Sequence, residues 1–173
     1  MNRTNAYVIA VSLAIGVVLG LVGSFMPEGA ALRTSWVVSG LGLIVGWLLL
    51  AARQARISQD RVAAGLAIMA LGESVLFAGV AFGADVQTGV FGGGAALYFA
   101  GLLLACLSTV FPLWTRVAGT VAAVLFIIAA LQIYAGQQVA VVDPSPIVIG
   151  GYTMLSVANV GWIIAVLRGE RRR

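Results

Sequence analysis

The sequence predicts an all-α integral membrane protein, a single domain over residues 1–173 with six transmembrane helices. Of its 173 residues, 61% are hydrophobic and only 9% are charged, whereas a soluble domain carries about a quarter charged residues. The apolar residues are gathered into six long runs. The polar stretches between the runs are too short to form a soluble domain, so lipid must solvate most of the chain.

Each apolar run is near the length of about 17–25 residues that a helix needs to cross the hydrocarbon core. The first run follows Arg3 as a signal peptide would, but it is too long for a signal-peptide core and is expected to be a retained helix. The second run is the shortest. In order, the runs are Tyr7–Met26, Trp36–Ala52, Val62–Ala84, Val90–Phe111, Val117–Ala135 and Ile147–Leu167.

The arginines predict how the helices are oriented. Short outer connections are expected to group the helices into three helical hairpins, 1–2, 3–4 and 5–6. On this path only Arg33 lies on the outer side, and nine arginines lie on the other: Arg3, Arg53, Arg56, Arg61, Arg116, Arg168, Arg171, Arg172 and Arg173. Because positive residues are retained on the cytoplasmic side, both termini are expected to be cytoplasmic, in a bacterial inner membrane.

The positive charge has a simpler explanation than nucleic-acid binding. The net charge is +4, but the arginines flank apolar runs instead of forming a stripe of their own. We therefore expect membrane lipids as partners and no nucleic acid. The terminal group Arg168, Arg171, Arg172 and Arg173 is expected to hold the C-terminus in the cytoplasm, and it is also suited to anionic lipid headgroups.

Glycines in the third helix predict close helix packing. Gly65, Gly72 and Gly79 recur every seven residues and so lie on one stripe of the helix. Small residues on a stripe let a second helix approach closely, which matters where lipid supplies no hydrophobic drive for association. The spacing leaves open whether that neighbour belongs to the same chain, to a second copy or to another subunit.

Glu73 is the ionisable residue in the middle of an apolar run, AIMALGESVLFAG. A charged carboxylate near the bilayer midplane costs at least about 2.5 kcal/mol, so the side chain should face the bundle interior. The candidate partners are Asn159 at similar depth, Ser156 one turn away on the same helix, and Gln132 nearer the outer face. Two interpretations stand: a relay for protons or ions, or a neutral acid whose hydrogen bond fixes the helix register.

Little in the sequence favours catalysis. It has no histidine, a single cysteine, Cys106, and no paired carboxylates within a run, so haem ligation by histidine and catalytic zinc are disfavoured. We expect no metal, no cofactor and no enzymatic activity. The run GVFGGGAALYFAG (Gly89–Gly101) lacks the Lys-Ser or Lys-Thr of a phosphate loop and is expected to be a flexible, closely packed helix start.

The aromatic residues divide by depth. Those near the ends of the runs fit the interfacial belts of membrane proteins: Tyr7, Trp36, Trp114, Tyr134 and Tyr152. Trp47 and Trp162 lie deeper, where they pack in the core or line a cavity.

Six helices in three hairpins with basic cytoplasmic turns resemble the layout of the bacterial acid-resistance membrane protein family (HdeD-like). The similar stretches are MPEG (Met26–Gly29), GLGLIVGWLLLAARQAR (Gly40–Arg56) and VLRGERRR (Val166–Arg173). The second hairpin departs from that layout because it turns through FGADVQTG without a proline. The resemblance covers the layout of the whole chain, implies a stress-related inner-membrane protein and carries over no site residue.

Two functional hypotheses follow. The first is a non-catalytic inner-membrane protein, acting as a structural or accessory subunit or as a stress-related scaffold, with other subunits or a second copy as partner. The second is a small channel or transporter for protons, ions or a small polar solute that uses Glu73. The prolines lie in turns, so no helix is broken at mid-depth, which counts against an ion-coupled transporter.

Overall fold

The computed structural model describes residues 3–82, 84–137 and 145–171, and these ranges form six helices and contain no β-strand. All six helices are long and apolar enough to cross a membrane, which suggests a multi-pass membrane protein. They are α1 (Arg3–Gly23), α2 (Ala30–Ala55), α3 (Asp60–Phe82), α4 (Ala84–Cys106), α5 (Leu113–Tyr134) and α6 (Pro146–Arg171).

All six helices begin earlier than the hydropathy pattern predicts, and the difference is largest for α2 and α4. Helix α2 starts at Ala30 instead of Trp36 and has 26 residues, so the run that looks shortest belongs to one of the longest helices. Helix α4 starts at Ala84 instead of Val90 and ends at Cys106, so the expected turn FGADVQTG is largely helical. Polar residues in a first turn lower hydropathy without preventing a helix, because that turn lies outside the hydrocarbon core.

The connections follow from local chemistry. Helix α2 ends in a tight turn in which Ser58 adopts a left-handed conformation, φ 58°, and the Gln59 amide donates to the Gln54 carbonyl at 3.0 Å. This is the pattern of a Schellman-type helix end. Pro112 immediately precedes α5, and Pro146 is the first residue of α6, where a missing N–H costs no hydrogen bond.

The six helices form a closed ring. Each helix packs against the helices before and after it in the chain, and α6 packs against α1. Because α2 and α3 are in contact, as are α4 and α5, the packing does not set three hairpins apart, and that grouping stays a prediction. Side chains from all sides fill the space inside the ring.

The inner and outer surfaces of the ring are both apolar. The largest fully buried side chains include Trp47, Tyr98, Phe126 and Trp162. The outer face carries exposed valines, leucines and isoleucines along several helices. An apolar outer surface suits a bundle that lipid surrounds.

Candidate functional site

Glu73 lies midway along α3, and its carboxyl is placed between α2 and α4. The Tyr98 hydroxyl on α4 donates a hydrogen bond to Glu73 Oε2. On the α2 side the second oxygen, Oε1, lies only 2.8 Å from where a Cβ on Gly40 would stand. The carboxyl therefore occupies the space that glycine leaves on α2. Glu73 as a whole residue is partly buried.

A second hydrogen bond crosses the interior at a neighbouring position. Trp47 Nε1 on α2 donates to Asn159 Oδ1 on α6 at 2.8 Å. The Asn159 amide Nδ2 donates to the Leu155 carbonyl of its own helix at 3.1 Å, so both ends of this 1%-exposed side chain are used. An unbonded amide at such a position would be costly, and here that cost is avoided.

An aromatic contact joins the two hydrogen-bonded pairs. The rings of Trp47 and Tyr98 meet edge to face, with centroids 5.7 Å apart and an interplanar angle of 90°, a favourable geometry for aromatic pairs. Glu73, Tyr98, Trp47 and Asn159 thus form a continuous series of contacts through α3, α4, α2 and α6, which we call the central polar chain.

Tyr152 belongs to the interior, so its expected place in an interfacial belt is wrong. Its ring lies 5.2 Å from that of Phe126, 6.5 Å from Tyr98 and 6.4 Å from Phe91, centroid to centroid. The position of Tyr152 along α6 suggested the membrane interface, but its side chain points toward the centre of the ring of helices.

The structure does not gather the other predicted partners around Glu73. Asn159 is bonded to Trp47 instead. Ser156 on α6 and Gln132 near the end of α5 are both partly buried, and neither side chain has a hydrogen-bond partner among the described residues. Sequence reasoning missed Tyr98, although a tyrosine in the middle of the apolar run AALYFAG is a detectable signal.

Glycines bring α3 and α4 into close contact and so set the position of Glu73. A Cβ on Gly65 would lie 2.5 Å from the Gly101 carbonyl oxygen, and one on Gly101 would lie 2.6 Å from the Gly65 oxygen. A Cβ on Gly72 would lie 3.1 Å from the Gly94 carbonyl oxygen, and one on Gly94 would lie 3.1 Å from the Gly72 oxygen. Gly79 also faces α4. Backbones this close leave no room for side chains between them, which brings the α3 carboxyl within reach of the α4 phenol.

Three buried polar atoms elsewhere have no hydrogen-bond partner among the described residues: Gln54 Oε1, Thr115 Oγ1 and Trp162 Nε1. Thr115 packs over Gly161, where a Cβ would stand 2.1 Å from its hydroxyl oxygen. All three residues lie on the side of the bundle that the arginines predict to be cytoplasmic.

Arginines at that same end bond to helix carbonyls. Arg116 Nε donates to the carbonyl of Cys106 at 2.9 Å and so caps the end of α4. Arg53 Nη1 lies 3.5 Å from the Val166 carbonyl and links α2 to α6. Of the predicted C-terminal anchor, Arg168 is exposed and Arg171 ends α6, while Arg172 and Arg173 lie outside the described residues.

The described residues contain no group of three or more His, Cys, Asp or Glu side chains placed to hold a metal ion. The single cysteine, Cys106, is buried with a free thiol. The expectations of no metal, no cofactor and no catalysis stay predictions.

Comparison with protein-family models, with curated proteins and with solved structures gave no match. The functional argument therefore depends on the site itself.

Proposed function

We propose that this chain is a non-catalytic, multi-pass protein of a bacterial cytoplasmic membrane that serves as a structural or accessory subunit or as a stress-related scaffold. One observation carries the proposal: the polar side chains at mid-bundle bond to one another across helices. Glu73 accepts from Tyr98, and Asn159 accepts from Trp47. Such bonds join specific helices and fix their register, which is a structural task.

The filled interior supports the same proposal. Trp47, Tyr98 and Phe126 are each 0% exposed and occupy the middle of the ring. A conduction path needs polar groups and space that reach both faces of the bundle, and fully buried aromatic rings at mid-depth oppose one. Within this proposal the protein is one domain with three hairpins and cytoplasmic termini, as in the acid-resistance (HdeD-like) layout, and lipids and other membrane subunits or a second copy are its partners.

The first experiment is the native mass of the complex after gentle extraction from its own membrane. A mass that includes other subunits supports an accessory role, and their identities name the assembly. A homo-oligomer supports a scaffold built from copies of this chain. A monomer without partners opposes both forms of the proposal and shifts the weight to transport. Fusions of a reporter to each terminus test the cytoplasmic orientation.

Transport that uses Glu73 is the second candidate, and one observation favours it. Glu73 places an ionisable carboxyl inside the bundle, midway along α3 and between α2 and α4. Intramembrane acids in other proteins mark ion pathways and proton relays. In liposomes, Glu73→Gln should abolish proton or solute flux while preserving the fold. Equal flux through the wild type and this variant would reject Glu73 as the relay.

A further inference from the structure

The turn between α4 and α5 exposes large apolar side chains at one end of the bundle. Leu107 and Leu113 are 69% and 70% exposed, the highest values among the leucines of the described ranges. Trp114, next to Leu113, is 46% exposed. The candidate membrane spans of α4 and α5 end and begin at this turn, so these side chains lie where the hydrocarbon core meets the lipid headgroups.

Arg116 belongs to the same turn, and its charge has no acidic partner among the described residues. Its Nε donates to the carbonyl of Cys106, the last residue of α4, at 2.9 Å. This bond holds the half-buried guanidinium between the end of α4 and the start of α5. Within the described ranges the two Nη groups make no hydrogen bond or ion pair. Their fork of N–H donors matches the oxygens of a phosphate.

The start of α5 adds positive potential at the same place. Pro112 precedes the helix, no side chain caps it, and its first turn contains no acidic residue. The amides of residues 113–115 therefore lack partners within the helix. A helical side chain tilts toward the N-terminus of its helix, so Arg116 reaches back over these amides. The guanidinium and the helix dipole repel each other there, and an anion would interact favourably with both.

We propose that the turn between α4 and α5 binds one anionic phospholipid. Its phosphate accepts hydrogen bonds from the Nη groups of Arg116 and lies over the start of α5. Its acyl chains run along Leu107 and Leu113, with Trp114 at the level of the headgroup, as in the aromatic belts of membrane proteins. A phospholipid uses both the charged and the apolar part of this surface, whereas a soluble anion would use only the charged part.

This inference rests on the proposed membrane location and names a class of lipid and its binding site. The site is separate from the C-terminal arginine group that the sequence predicts as a headgroup contact. It does not depend on other subunits. A native mass with or without partners would leave the lipid site standing, and loss of the lipid site would leave an accessory role intact.

The test is native mass spectrometry of the delipidated protein in a non-ionic detergent, titrated with phosphatidylglycerol or phosphatidylcholine of identical acyl chains. Phosphatidylglycerol should bind roughly tenfold more tightly, because the choline group offsets the phosphate charge. Its affinity should fall as salt is added. Glycerol 3-phosphate, which lacks acyl chains, should not bind over the same concentrations. Equal binding of the two lipids, or equal binding of glycerol 3-phosphate, would overturn the proposal.

Arg33 provides a matched control for Arg116. Each is the fourth residue of its helix, and α2 also begins without a side-chain cap or an acidic residue in its first turn. Arg33 is exposed, however, and among the described residues no hydrogen bond holds its side chain. Arg116→Gln should weaken phosphatidylglycerol binding roughly tenfold, whereas Arg33→Gln should leave it unchanged.

A second pair of variants keeps the test independent of the bond between Arg116 and α4. Leu113→Glu places a carboxylate on the exposed first residue of α5, where it competes with the lipid phosphate for Arg116. Binding should weaken roughly tenfold, whereas Ala30→Glu, at the exposed first residue of α2, should not change it. Circular dichroism checks that each variant is folded. If Arg116→Gln fails to fold, Leu113→Glu decides; unchanged affinity in either folded variant refutes the site.

Discussion

Replacing Gly65 with alanine should lower the thermal stability of the bundle, because α3 and α4 touch through their backbones at this point. The new Cβ would meet the Gly101 carbonyl oxygen at 2.5 Å and the Ala105 amide nitrogen at 2.7 Å. Ordinary van der Waals contact begins at 3.4 Å, so the α4 backbone would have to retreat by about 0.9 Å. Neither atom belongs to a flexible side chain that can rotate away.

The size of the effect follows from two opposing terms. Overpacking a core typically costs about 1–3 kcal/mol, while glycine to alanine within a helix gains up to about 1 kcal/mol. With the full gain, the net loss should be up to about 2 kcal/mol. For a chain of 150–250 residues each kcal/mol shifts Tm by about 2–4 °C, so Gly65→Ala should melt up to roughly 8 °C below the wild type.

Gly93 provides the matched control. It lies on α4, and a Cβ there would meet only Val75 Cγ1, at 4.0 Å. Gly93→Ala should therefore keep the helix-propensity gain without the clash, and its Tm should rise by up to about 4 °C. Thermal unfolding followed by tryptophan fluorescence in one detergent compares both variants. A Gly65→Ala variant as stable as Gly93→Ala would refute the close approach of α3 and α4.

Three further substitutions, one of them paired with a second change in the same chain, test the polar groups of the interior by the same melting assay. Tyr98→Phe removes the donor to Glu73 and should cost about 1–2 kcal/mol; an unchanged Tm would mean that this bond contributes nothing to the fold. Asn159→Leu leaves the Trp47 N–H buried without an acceptor and should cost about 1–3 kcal/mol, and Trp47→Phe in the same chain should recover part of the loss. Thr115→Val removes a buried hydroxyl without a described partner and should raise Tm slightly, whereas a fall in Tm would reveal a partner for that hydroxyl.

The hydropathy pattern predicted the apolar part of each helix more accurately than the residues at which the helix begins and ends. Helix α3 was expected over Val62–Ala84 and spans Asp60–Phe82, a difference of two residues at each end. Helix α4 begins six residues before the predicted start, since an apolar window measures depth in the bilayer and not helix hydrogen bonding. Helices that extend past the hydrocarbon core will be underestimated in this way.

The partners of buried polar groups were much harder to predict. The depth of Glu73 follows from its position along the sequence. Its inward direction follows from the free-energy cost of exposing a carboxylate to lipid. Its bond to Tyr98, and that of Asn159 to Trp47, depend on which helices are neighbours across the ring and on their rotation. Neither quantity is encoded in hydropathy. Aromatic hydroxyl and indole groups are also easily overlooked as partners, because they count as apolar in composition.

The closed ring has a consequence for how the protein is made. Each helix packs against its predecessor in the chain, so every newly inserted span finds its partner already present in the membrane. The last helix, α6, closes the ring by packing against both α5 and α1, and the Trp47–Asn159 bond can form only once α6 is present. Domains generally fold in the order in which they are synthesised. Contacts between segments that are close in sequence favour fast folding. A ribosome stalled before α6 should therefore hold five helices already associated, with the flank of α1 still open to lipid.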